Sequence, residues 1–112
     1  MTTTITAQNI DLWEAWVDVQ YADEQPSATL FVIGDVVVNN LILEPRFEKR
    51  LSLPERPDWL LLEIVPNVLC EEGTEMEIVY SEKLTNVNQY AGVMIMVGGE
   101  VIVEMNDLDI IY

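Results

Sequence analysis

Residues 90–112 read YAGVMIMVGGEVIVEMNDLDIIY, and this stretch decides the fold class. Two apolar runs flank Gly98-Gly99, a dipeptide that reaches positive φ without a Cβ clash and so suits a tight hairpin turn. A two-residue turn sets Val97 opposite Glu100, Met96 opposite Val101, Ile95 opposite Ile102 and Met94 opposite Val103. Directly opposed residues share a face. The pairing predicts a core face of Met94, Met96, Val101, Val103 and Met105. The other face, with Val93, Ile95, Val97 and Ile102 edged by Glu100 and Glu104, is expected to be half solvated.

Working outward, residues 28–40 repeat the pattern, with TLFVI, then Gly34-Asp35, then VVVNN. Glycine first suits a type II′ turn, so a second hairpin is expected there, with Ile33 opposite Val36 and Phe31 opposite Val38. Residues 12–21 alternate: Trp13, Ala15, Val17, Val19 and Tyr21 fall on one side, and Glu14, Asp18 and Gln20 share the other with Trp16. ADEQPS at 22–27 has turn composition, and Pro26 is expected to block strand pairing. WLLLEIV at 59–65 reads as a buried strand, and residues 74–81 alternate with Met76, Ile78 and Tyr80 inward. After a bend at 106–107, residues 108–112 continue as a strand. The expectation is one all-β domain over 1–112, an antiparallel β-sandwich, immunoglobulin-like or similar, of about seven to eight strands, with a small barrel as the alternative.

Composition limits function more firmly than it names one. The chain has 112 residues, 20 acidic and 5 basic, no histidine and a formal charge of −15. That charge repels nucleic-acid phosphates and anionic lipid, so neither direct nucleic-acid binding nor membrane binding is expected. No apolar run approaches the roughly 20 residues of a membrane helix. The start MTTTITAQNI carries no basic-then-apolar leader, and a cytoplasmic protein is expected. Lone Cys70 has no disulfide partner within the chain, and neighbouring Glu71 and Glu72 disfavour its thiolate. Without histidine there is no imidazole ligand or imidazole base, and no phosphate-cradling glycine motif is present. No enzyme activity, cofactor or metal site is expected. The carboxylate clusters at 71–75, 107–109 and 23–24 leave a calcium-dependent binding module as an alternative, although none has the spaced acidic loop of an EF-hand.

The remaining signal is an uneven distribution of positive charge. Residues 41–58 (LILEPRFEKRLSLPERPD) hold all three arginines and Lys49. This segment is expected to be an irregular connection with a short strand or a turn of helix near 47–51, packed so that its cations meet the body's carboxylates. Within it Arg56-Pro57-Asp58-Trp59 resembles the Arg-Pro-Trp loop of the small intracellular inhibitors of cysteine peptidases. Asp58 interrupts that motif and neither of the family's other loop signatures is present, so membership is not assigned. The functional expectation is a non-catalytic, acidic interaction or structural module that self-associates as a homodimer through strands apolar on both faces. A protein with a basic surface is the other expected partner, and an acidic DNA-mimic inhibitor the alternative function. The candidate interaction residues are Trp16, which faces the polar side of its strand; Arg46, Phe47, Arg50 and Arg56 in the basic segment; and Ile95 and Ile102 on the half-solvated face.

Overall fold

A computed structural model describes residues 13–22, 25–38, 45–65, 73–106 and 108–111. These residues contain eight strands and no helix: β1 Glu14–Ala22, β2 Gln25–Val38, β3 Arg46–Arg50, β4 Trp59–Val65, β5 Thr74–Leu84, β6 Gly92–Val97, β7 Glu100–Met105 and β8 Asp109–Ile111. They form two four-stranded sheets, β5-β2-β1-β8 and β3-β4-β6-β7. The sandwich expectation holds, and no sheet closes into a barrel. Both sheets are mixed, because β4 pairs with β6 and β1 with β8 in parallel, while the other pairings are antiparallel.

One core lies between the sheets. It joins Trp13, Val17 and Val19 near and on β1, Leu30, Val32 and Val36 on β2, Leu60, Leu62 and Ile64 on β4, and Val93, Ile95 and Val97 on β6. These residues fall at every second position, which is how one side of a pleated strand meets the opposite sheet. Phe47 reaches the same core from β3 and meets the Trp13 ring edge-on at 5.8 Å. Phe47 and Ile95 are therefore interior residues and take no part in the surface of this chain.

The expected hairpin at Gly34-Asp35 does not form. β2 runs straight through, with Gly34 opposite Ile78 and Asp35 opposite Glu77 on β5. Glycine serves here as a space rather than a turn. A Cβ on Gly34 would lie 2.4 Å from the Trp13 ring, so only a bare α-carbon lets the indole settle on the strand. Pro26 also lies within β2, opposite Tyr21. β5 extends only as far as Ala28, so Pro26 sits where β2 has a single neighbour, a position at which a strand tolerates proline.

The Gly98-Gly99 hairpin forms as expected, with φ of 59° and 86°. Two consecutive positive φ values match a type I′ turn. Val97 opposes Glu100 and Met96 opposes Val101, but the register then slips so that Ile95 opposes Val103 and Met94 opposes Glu104. Ile102 is the extra residue of a bulge. The predicted faces of β6 are reversed: Val93, Ile95 and Val97 line the core, whereas Met94 and Met96 point to the outside of their sheet. On β7, Val103 lines the core as predicted, but Val101, predicted beside it, is exposed. Counting polar atoms selected the wrong side, because the outer side is covered locally. Leu61 and Met94 are only 3% and 2% exposed there, and Arg56 lies across the sheet with Nη1 3.9 Å from the Met94 sulfur.

Candidate interaction face

The basic segment is ordered by its own charges. β3 forms as an edge strand on β4. From its outer side Arg46 donates to Glu48 at 2.8 Å, and Arg50 bridges Glu48 at 2.9 Å and Glu63 at 2.8 Å. Arg56 leaves the β3–β4 connection, lies over the Trp59 ring at 4.8 Å and pairs with Glu104 on β7. Ser52 Oγ donates to the Trp59 carbonyl at 2.7 Å, tying the same connection down. Arg46, Arg50 and Arg56 are thus placed at the surface with carboxylate partners already in hand.

Lys49 faces the opposite way, into the seam between the β3 and β5 edges. Its Nζ lies 2.9 Å from Glu82 Oε1. Tyr80 donates to the same oxygen at 2.6 Å, and Tyr90 donates to Oε2 at 2.5 Å. Burial raises the Glu82 pKa, but the hydrogen bonds from Tyr80, Tyr90 and Lys49 outweigh it and hold the carboxyl below its ordinary 4.5. Burial, reinforced by Glu82, pushes both tyrosines above 10. Contacts with Tyr90 and Glu82 raise Lys49. This cluster is a lock between the sheets, with Glu82 contacted by the ammonium of Lys49 and the hydroxyls of Tyr80 and Tyr90.

The outer side of the β5-β2-β1-β8 sheet is different. With Val17, Val19, Leu30 and Val32 inward, the alternate residues of each strand face out, and the registers place them in rows. One row is Ser81, Phe31, Trp16 and Asp109, and the next is Val79, Ile33 and Glu14. Beyond these lie Glu77 opposite Asp35, then Glu75 opposite Val37. On the other side the row is Lys83, Thr29, Asp18 and Ile111. The centre is therefore apolar: Trp16 stacks on Phe31 at 5.5 Å with 22° between the planes. Val79 and Ile111 are 55% and 52% exposed. Around this centre stand Glu14, Asp18, Asp35, Glu75, Glu77 and Asp109, with Lys83 the single cation. A hollow of about 400 Å³ opens at the β1–β8 side, lined by Glu14, Ala15, Trp16, Asp109 and Ile111.

Of the residues singled out in the sequence, this face gathers only Trp16. Arg46, Arg50 and Arg56 lie on the other sheet, Ile102 is a half-buried bulge residue on edge strand β7, and Phe47 and Ile95 are core. The face's other components, Phe31, Ile33, Asp35, Glu77 and Val79, escaped because the supposed turn at Gly34-Asp35 hid the continuous β2–β5 register. Alternation of Glu75 and Glu77 with Met76 and Ile78 was the available signal. Among the described residues no group of three or more acidic or sulfur side chains is placed to hold a metal ion. The carboxylate clusters at 23–24, 71–72 and 107 lie outside the described residues, as does Cys70. Comparison with protein-family models, with curated proteins and with solved structures finds no match to this chain.

Proposed function

We propose that this chain is a non-catalytic interaction module that docks a protein with a basic surface on the outer face of the β5-β2-β1-β8 sheet. The observation that carries the reading is the juxtaposition of Asp35 and Glu77, directly opposed at the margin of an exposed apolar centre. Like charges directly opposite in a ladder are destabilising, by a few tenths to about 1 kcal/mol. Neither carboxylate has a cation among the described residues. A bound lysine or arginine relieves that repulsion, while the Trp16–Phe31 centre supplies apolar contact and the carboxylates steer the approach.

Ion pairing also separates this partner from a second copy of the chain. Four of the five cations already pair: Arg46 with Glu48, Arg50 with Glu48 and Glu63, Lys49 with Glu82, and Arg56 with Glu104. A second copy has only Lys83 to offer the acidic margin, and face-to-face stacking sets carboxylates against carboxylates. The apolar centre likewise separates the face from a DNA imitation, which needs charge where Phe31, Ile33 and Val79 stand.

A hairpin peptide with valine and arginine on one face serves as the probe. Titration followed by amide NMR is expected to give saturable binding, with shifts concentrated on Trp16, Phe31, Ile33, Asp35, Glu77 and Val79. Glu77→Lys is expected to weaken binding at least tenfold while raising the melting temperature of the free protein. Glu55→Gln, on the exposed β3–β4 connection, should change neither. Equal effects of the two substitutions, or shifts spread over every carboxylate, would overturn the proposal.

A further inference from the structure

The hollow beside Trp16 has a composition that the rest of the face lacks. Its described lining is Trp16, Ile111 and Ala15 together with the two carboxylate residues Glu14 and Asp109. β1 and β8 run parallel here, with Trp16 opposite Asp109 and Asp18 opposite Ile111, so the carboxylate of Asp109 and the aliphatic Ile111, two positions apart, share the outer side of β8. The Trp16 ring stacks on Phe31. Neither Glu14 nor Asp109 has an ion-pair partner among the described residues.

We infer that this hollow is a receiving site for one arginine side chain of the docking partner. An aromatic face attracts a cation placed over it, with arginine the more frequent occupant. A planar guanidinium stacks on indole and presents forked N–H donors to carboxylates on either side, which a compact ammonium cannot do at once. The aliphatic stem of the same residue finds apolar surface on Ile111. About 400 Å³ lies within the roughly 300–1,000 Å³ of small-molecule sites, and is ample for one long side chain. A neutral aliphatic side chain would leave Glu14 and Asp109 desolvated without a partner, and an acidic one would be repelled. The inference rests on the docking reading above and adds the chemical group that anchors the partner and the position at which it enters.

The test isolates the group from the rest of the face. Nα-acetyl-arginine N-methylamide is titrated against the full chain while the Trp16 indole N–H resonance is followed, assigned through Trp16→Phe. The expected result is a saturable shift at Trp16 with a midpoint in the millimolar range, Trp13 and Trp59 unmoved. The citrulline counterpart, equal in shape but uncharged, should leave Trp16 in place. Glu14→Gln combined with Asp109→Asn should weaken the arginine derivative at least threefold. A citrulline response equal to the arginine response, or an unchanged midpoint in the double variant, overturns the site. A lysine derivative binding as well as the arginine derivative overturns the guanidinium assignment. These outcomes are independent of the hairpin-peptide experiment: the peptide can still bind through Asp35 and Glu77 when the hollow accepts no arginine.

Discussion

Two residues show how much of this fold depends on single groups. Gly34 gives up its side chain to the Trp13 ring, which is buried even though its indole N–H finds no hydrogen-bond partner among the described residues. Gly34→Ala forces the ring or β2 to move. A loss of about 1–3 kcal/mol is expected, the usual cost of overpacking a core, and chemical denaturation measures it. A loss below 0.5 kcal/mol, on the order of an ordinary surface change, would contradict the close packing. Glu82 governs the seam between the sheets through pH. Its pKa is depressed in the folded chain, so its contribution is present above the ordinary carboxylate value of 4.5 and disappears as pH falls through the lower folded value. Tyr80, Tyr90 and Lys49 are all raised, so their contributions are present below about pH 10, near the unfolded tyrosine and lysine values, and are lost as pH climbs past it. Thermal stability of the wild type should therefore fall at both ends. Glu82→Gln should cost about 1–3 kcal/mol near neutrality, the range for removing a charged hydrogen-bond acceptor, and should flatten the acid limb. An acid limb of unchanged steepness in that variant would assign the pH dependence to other carboxylates.

Elements obey the same local chemistry, with neighbours deciding among the options it leaves. Gly98 and Gly99 both sit at positive φ, and a Cβ on Gly99 would meet nothing within 4 Å. Gly99→Ala is thus a purely conformational change, expected to cost about 1–2 kcal/mol without disturbing the core. Amide NMR should show shifts confined to the ends of β6 and β7; shifts reaching Val93 and Val103 would mean that the turn also fixes the register beyond the bulge. The limits of the sequence lie in the same place. A glycine pair between apolar runs specifies a turn, and β4 was legible to its last residue because WLLLEIV offers no competing period. The Ile102 bulge was not legible, since one residue of slip changes the faces without changing composition. Gly34-Asp35 has the composition of a turn, and only the Trp13 ring, 21 positions earlier in the chain, makes it a strand interior. Of the candidate interface, Trp16 alone was legible, from its polar-side phase. The partners that define the face come from β2, β5 and β8, whose neighbours are set by topology.

At the scale of the whole molecule, the distribution of charge makes opposite demands on stability and on binding. The formal charge is −15, the described cations apart from Lys83 are held in ion pairs, and Asp35, Glu75 and Glu77 crowd one end of the exposed sheet face. Salt screens exposed charges over about 30 Å at 0.01 M, 10 Å at 0.1 M and 3 Å at 1 M. Intramolecular repulsion should weaken along that series, raising the melting temperature of the free chain. Attraction to a basic partner should weaken along the same series, raising its Kd. Over one set of salt concentrations, stability read from a melting curve is therefore expected to rise while affinity read from a hairpin-peptide titration falls. Equilibrium sedimentation at the low-salt end should give the mass of one chain, because a second copy brings no free arginine to the face. A stable dimer at 0.01 M salt, on the order of the lowest screening considered, would show that apolar contact alone overcomes the repulsion. It would make self-association, and not a basic partner, the use of this face.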